Sequence, residues 1–263
     1  MRELYSHRES PLHRLDARVK LLLTLALIVF FNLVPSGAWP AYILFLSLVL
    51  SLVLLSRLGF RFVLVRTLVA VPFLLAVVPL LFVCSESHIS VPLTGSFSIA
   101  VCAQGAVRFA SIAAKMLISV AAAVLLAATT RVNDLLAGLR QLKVPRLFVA
   151  IIGLMWRYLF VIGDEALSLM RARSSRSADA SVTRHSGGSW WWRARVTGGM
   201  AGSLMLRSIE RSDRVYAAML SRGYNGEPPE AEATRLSKNN RTILVLGIAL
   251  CLLLWLLGVL TGG

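Results

Sequence analysis

Apolar residues run along this chain in long blocks separated by short polar stretches. Five blocks approach the roughly 20 apolar residues that an α-helix needs to cross a bilayer: residues 19–34, 40–55, 67–83, 99–128 and 242–260. The first three hold only 16, 16 and 17 residues, so they must draw on flanking residues or on snorkelling Lys and Arg. A sixth block, 147–162, is also 16 residues long and has Arg157 inside it. It is read as a helix lying against the membrane or packed under the bundle, and not as a span. The block at 19–34 follows a polar segment and no small-residue cleavage site comes after it, so it reads as a span and not as a removed leader.

Composition agrees with these blocks. Hydrophobic residues make up 57% of the 263 and charged residues 16%, with a mean hydropathy of +0.72. That balance excludes a soluble globular chain and a disordered one. Lys and Arg number 28 against 13 Asp and Glu, a basicity that a nucleic-acid binder would share, so its placement decides. Residues 1–20 carry five basic residues and 34–40 none; Arg57, Arg61 and Arg66 separate the second and third blocks; 84–107 holds only Glu86; and 131–241 holds 18 basic and 9 acidic residues. Basic loops stay cytoplasmic, so five spans alternate without violation, with the N-terminus in the cytoplasm and the C-terminus outside. A crossing at 147–162 would put the basic stretch behind it on the wrong side. The expectation is an all-α polytopic membrane protein: 1–130 an N-terminal segment and four transmembrane helices, 131–241 a cytoplasmic domain of amphipathic helices, 242–263 the last span.

Within the fourth block, Arg108 and Lys115 lie seven residues apart with Ser111 between them, one face of a helix. Charges at that depth are costly and face the bundle or the interface. A cationic face conducts a metal cation poorly, so a packing or snorkelling role is preferred over an ion path. Cys84, Cys102 and Cys251 make no CxxC; a disulfide between the first two is chemically possible on the outer side, against a reading as small apolar fillers. His7, His13, His88 and His185 are scattered, and no metal site is expected.

The cytoplasmic segment shows helical periodicity. Leu159, Ile162, Ala166, Leu169 and Met170 recur at helical spacing, with Asp164 and Glu165 early and Arg171, Arg173 and Arg176 late, an order that suits the helix dipole. Met205, Ile209, Ser212, Tyr216, Met219 and Leu220 form a second stripe, Glu210 stands four before Arg214, and Gly223 is the expected stop. Each helix ends in a similar element, Ala172-Arg173-Ser174 and Ser221-Arg222-Gly223. Small neighbours leave such a guanidinium open to a carboxylate or a backbone groove. One such element is ordinary capping; two of them on the basic side point to docking. Residues 174–188 read as a flexible Ser/Arg/Gly-rich connection. Trp190-Trp191-Trp192 with Arg193 and Arg195 reads as a headgroup anchor, in preference to a base-stacking site.

These stretches resemble the transmembrane (T) component of energy-coupling-factor transporters, most closely the CbiQ type associated with cobalt. Residues 10–20, with His13, Asp16, Arg18 and Lys20, resemble the family's entry motif S-x-L-H-x-L-D-P-R-x-K, with Ala17 in place of its Pro. Asp16 still suits an N-cap there. Thr129-Thr130 with Leu142-Lys143-Val144-Pro145 resembles the junction after the fourth span, and the two Arg elements with their helices resemble the coupling helices. Both elements depart from the family's Ala-Arg-Gly, by Ser174 in the first and Ser221 in the second, and Arg176 competes with Arg173 for the first position.

The resemblance implies a non-catalytic scaffold joining two ABC-type ATPase subunits to a membrane subunit that captures the substrate, similar to CbiM. Arg173 or Arg176 and Arg222 would seat in the ATPases, and ATP and Mg would belong to those partners, with no cofactor in this chain. The cargo would be cobalt, with nickel or a vitamin as alternatives. The residues agree on one point independently: no GxxxxGK[ST] phosphate loop is present. Rival classes are a membrane enzyme acting on anionic lipid headgroups, for which Asp164-Glu165 is the lone adjacent acidic pair, and an autonomous channel. Membrane lipid is an expected partner, and nucleic acid is not.

Overall fold

The computed structural model describes residues 15–81, 88–92, 98–176, 189–225 and 237–261. In chain order the elements are α1 (Ala17–Leu33), α2 (Trp39–Ser56), α3 (Phe60–Leu68), α4 (Val71–Leu74), a 3-10 segment (Leu75–Leu81), β1 (His88–Pro92), β2 (Ser98–Cys102), α5 (Ala103–Thr129), α6 (Val132–Gln141), α7 (Arg146–Arg176), α8 (Trp190–Ser221) and α9 (Lys238–Thr261). They fall into two compact units: residues 143–232, with α7 and α8, and residues 2–142 with 233–263, which hold the rest.

The helices of the larger unit start and stop where local chemistry requires. Pro35 follows the end of α1, Pro40 occupies the first turn of α2, and Arg57 (φ 54°) with Gly59 (φ +83°) turns the chain out of α2. The block expected as one span at 67–83 is broken instead. α3 and the segment Val71–Pro79 meet at 44°, because Pro72 removes a backbone donor and its ring crowds the carbonyl four residues back, while Pro79 sits inside the 3-10 turn. The start of the 99–128 block also departs from a helix. Ser98–Cys102 pairs antiparallel with His88–Pro92, His88 opposite Cys102 and Pro92 opposite Ser98, and α5 begins only at Ala103.

Among the described residues four helices, α2, α5, α7 and α9, are long and apolar enough to cross a membrane, and the bent α3–α4 pair would be a fifth. The chain is therefore a multi-pass, helical membrane protein. α1 has only 17 residues. The block at 147–162 is not a separate short helix: it continues without interruption into the basic segment as the 31-residue α7, and by length and composition it would suffice for a crossing.

α1 and α2 each pack against both α5 and α9, so the four helices form a ring, with α6 against α1 and with α3 and the 3-10 segment against α5. At one end the ring is filled by aromatic contacts. Phe31 of α1 lies 4.8 Å from Phe45, tilted at 44°, and 5.6 Å from Tyr42 of α2, edge-on, ring centre to ring centre, and the edge-on pair adds to their area burial. α9 approaches through glycine. A Cβ on Gly258 would stand 2.9 Å from Val34 Cγ1 and 3.1 Å from Ala41 Cβ, and one on Gly247 would collide with Leu23.

Candidate functional site

The smaller unit is a helical hairpin whose ends are written in its sequence. Ser189 caps α8, its Oγ accepting from Trp192 N at 3.3 Å. At the other end Gly223 takes φ +81°; Gly223 N donates to Leu220 O at 3.0 Å and Tyr224 N to Met219 O at 3.0 Å. That is a Schellman stop, and it places Arg222 as the C-cap residue, exposed. Ser221 and Gly223 beside it are exposed too. The Glu210–Arg214 pair forms at 4.0 Å on an open surface, where it contributes little.

α7 and α8 are held together by a contact no local pattern announces. Glu165 receives Arg211 Nη2 at 2.9 Å and Arg207 Nη1 at 3.4 Å, one carboxylate between two guanidiniums a helical turn apart. Its partners lie 42 and 46 residues downstream. Further along, Arg173 Nη1 donates to Thr197 Oγ1 at 3.1 Å and its guanidinium stands 6.0 Å from the Trp192 ring centre. Arg173 is therefore folded onto the beginning of α8. Arg176, three residues on, lies exposed in the last turn of α7 with Ser174, so residues 174–176, expected to begin a flexible connection, remain helical. The remainder of that stretch, 177–188, lies outside the described residues. The tryptophan cluster forms the first turn of α8, with Trp190 and Trp191 72% and 77% exposed.

These positions separate the two Arg elements. The Arg173 guanidinium rests on Thr197, and Arg222 lies 25 residues further along the same helix, about 37 Å at 1.5 Å per residue. Between them Met205, Leu206, Ile209, Tyr216 and Leu220 are exposed, a run of apolar surface of the kind that marks an interaction face.

In the larger unit the described entry-motif residues, Asp16, Arg18 and Lys20, gather at one end of the ring. His13 lies outside the described residues. Asp16 occupies the N-cap position of α1, yet its side chain does not cap: it accepts a short hydrogen bond from Asn240 Nδ2, joining the starts of α1 and α9. The N-cap role expected for its side chain is thus replaced by a tertiary one. Arg18 contributes backbone to a tight approach, since a Cβ on Gly138 of α6 would stand 3.3 Å from Arg18 N. Lys20 is buried and donates to Thr129 O at 3.1 Å, the last residue of α5.

Lys115 of α5 performs the same service for α1, donating to Val34 O at 2.6 Å and Asn32 O at 3.1 Å. Ser111 Oγ accepts from Gly37 N at 3.2 Å. Two antiparallel neighbours thus each place an ammonium on the other's carbonyl end, where the helix dipole favours a cation. Lys115 and Ser111 serve packing, as preferred over an ion path, while Arg108 is exposed. Of the cysteines, Cys251 is buried in the ring; Cys84 lies outside the described residues.

Two cavities adjoin Lys20. A polar one of about 290 Å3 is lined by Asp16, Lys20, Thr130, Asp134 and Gln141, among others. An apolar one of about 610 Å3 lies between α1, α2, α5 and α9, and shares Leu15, Lys20 and Thr129 with the first.

Residues 8–233 match the family described as cobalt transport protein, CbiQ. Among individual proteins, the chain is 28% identical to the cobalt transport protein CbiQ of Rhodobacter capsulatus over 58% of this chain and 59% of that one. It is 33% identical to the nickel permease LarQ of Lactiplantibacillus plantarum over 37% and 33%. It is 24% identical to the energy-coupling factor transporter transmembrane protein EcfT of Ruminiclostridium cellulolyticum over 96% and 94%.

Proposed function

The chain belongs to the CbiQ family of cobalt transport proteins, and from that membership we propose that it is the non-catalytic membrane scaffold of an ATP-driven importer. In this reading the α7–α8 hairpin couples two ABC-type ATPase subunits to a membrane subunit that captures the substrate, with cobalt as cargo. ATP and Mg belong to the ATPases, and this chain needs no cofactor of its own.

The observation that carries the reading is the spacing of the arginines. Arg222 at the capped end of α8 and the pair Arg173 and Arg176 at the end of α7 are separated by about 37 Å of helix. No single pocket spans that distance, so two docking points serve two partners. Arg173 is engaged with Thr197 and Trp192 and Arg176 projects from the same end, so the first docking point comprises Arg176 with Ala172, Arg173 and Ser174 supporting it. Ser221 and Gly223 leave Arg222 unobstructed. The exposed apolar run between them is the face on which the capture subunit would rest.

Nickel is the second reading, because the resemblance to a nickel permease is the highest in identity of those described. The capture subunit, and not this chain, would decide between the metals. For topology, the charge asymmetry places the N-terminus and the hairpin in the cytoplasm and the C-terminus outside.

Co-purification with candidate ATPases tests the docking. Arg222→Glu, and Arg173→Glu combined with Arg176→Glu, are each expected to weaken capture of the ATPase docked at that point by about tenfold or more, since loss of a charged interface pair costs roughly 2–5 kcal/mol. Intact association of both ATPases in a variant carrying all three substitutions overturns the docking assignment. Uptake of labelled cobalt by this chain without any ATPase overturns the scaffold.

A further inference from the structure

The two cavities beside Lys20 adjoin at Leu15, Lys20 and Thr129, and their linings differ sharply. The apolar one is walled by Leu52 and Leu55 of α2, Leu126 of α5, and Leu246 and Leu250 of α9. Leu55, Leu246 and Leu250 are themselves exposed, so the cavity opens sideways from the ring. Its lining on α9 runs from Thr242 to Cys251, about 13.5 Å of helix. A hydrocarbon chain, about 4–5 Å thick at van der Waals contact, fits. The slot is wide enough for lipid tails.

The polar cavity at its inner end is not simply cationic. Arg18 and Lys20 bring positive charge, and Asp16 and Asp134 bring negative charge. Thr130 is only 5% exposed, yet its Oγ1 has no hydrogen-bond partner among the described residues, and Gln141 Oε1 is in the same position. Buried polar atoms of this kind are the exception in folded proteins and call for a partner. Both can accept, and both line the cavity with the acidic Asp134. A primary ammonium, with three donors and no acceptor, matches that set, while the phosphate beside it would face the Lys20 and Arg18 side.

We propose that the larger unit holds one phospholipid with a primary-amine headgroup, its acyl chain in the slot between α1, α2, α5 and α9 and its headgroup in the cavity at Thr130, Asp134 and Gln141. The proposal is independent of the ATPase docking. An exclusively anionic lipid would set its charge against Asp16 and Asp134. A quaternary amine offers no N–H donor to Thr130 or Gln141.

The test uses the full chain in nanodiscs, with phosphatidylethanolamine, phosphatidylcholine or phosphatidylglycerol probes carrying the same diazirine-bearing acyl chain. Labelling of the slot segments, residues 48–55 and 242–251, is expected to be about tenfold stronger with the ethanolamine lipid, the ratio for one charge-assisted contact of roughly 1.4 kcal/mol. Asp134→Asn and Thr130→Val are expected to bring it down to the choline level, and Leu52→Trp to block slot labelling for all three. The headgroup comparison on the unaltered chain needs no variant to fold. Equal labelling by the three lipids, or a preference for the glycerol lipid, overturns the proposal. So does loss of the label on assembly of the whole transporter with a partner helix cross-linked to the slot in its place.

Discussion

At the scale of single residues, the bundle depends on two lysines that hydropathy alone would count as defects. A lysine ammonium in an apolar ring is expensive unless its donors are used. Lys20 uses one on Thr129 O, and Lys115 uses two on Asn32 O and Val34 O. Replacing Lys115 by Met leaves the carbonyl end of α1 without that partner, and the loss of a charged hydrogen bond should cost about 1.5–3 kcal/mol. Thermal unfolding in nanodiscs should show the midpoint fall for Lys115→Met and largely recover for Lys115→Arg; an unchanged midpoint for the Met variant would refute the cap. Arg108 and Lys115 were visible in the sequence as charges sharing a helix face. What Lys115 grips was not, because Asn32 and Val34 lie 83 and 81 residues away, and Thr129 lies 109 from Lys20. The Asp16 side chain shows the same limit: its local pattern suggested a cap, and Asn240 claimed it across 224 residues.

At the scale of elements, what was legible was what is local. Gly223 marked the end of α8 from its sequence alone, since φ +81° suits glycine and the residues after it cannot continue a helix. A side chain there pays the left-handed penalty, so Gly223→Val should cost about 1–2 kcal/mol in that turn. It should also displace Arg222, which a weakened ATPase pull-down with retained helicity by circular dichroism would register. Full pull-down would show that the cap geometry does not present Arg222. The stripe on α8 was likewise readable at helical spacing, though not that it would stay exposed. The breaking of the 67–83 block was readable in principle from Pro72 and Pro79, but hydropathy averages over prolines. Strand β2 hid at the start of the 99–128 block because short apolar runs suit strand and helix equally.

For the whole molecule, charge asymmetry and apolar blocks carried most of the architecture, while the division into a ring and a separate hairpin did not follow from them. Block 147–162 and the basic segment behind it are one continuous α7, which spacing within each half could not reveal. The proposed topology is tested on intact cells with single cysteines in a cysteine-free chain: Asn225→Cys should react with an impermeant maleimide only after permeabilisation, and Thr261→Cys without it. The reverse pattern would invert the arrangement and put the hairpin out of reach of ATP.

The glycines of α9 bear on how the molecule is made. Gly247 and Gly258 are eleven residues apart, three helical turns, and so face the same way, one against Leu23 and the other against Val34 and Ala41. The helix that closes the ring thus leaves the ribosome only after the whole α7–α8 hairpin. Until then the seam between α1 and α2 stands open, and the smooth glycine edge lets a late-arriving helix slide in without prying apart neighbours that have already packed. Biogenesis has a built-in order, in which the hairpin is complete before the ring shuts.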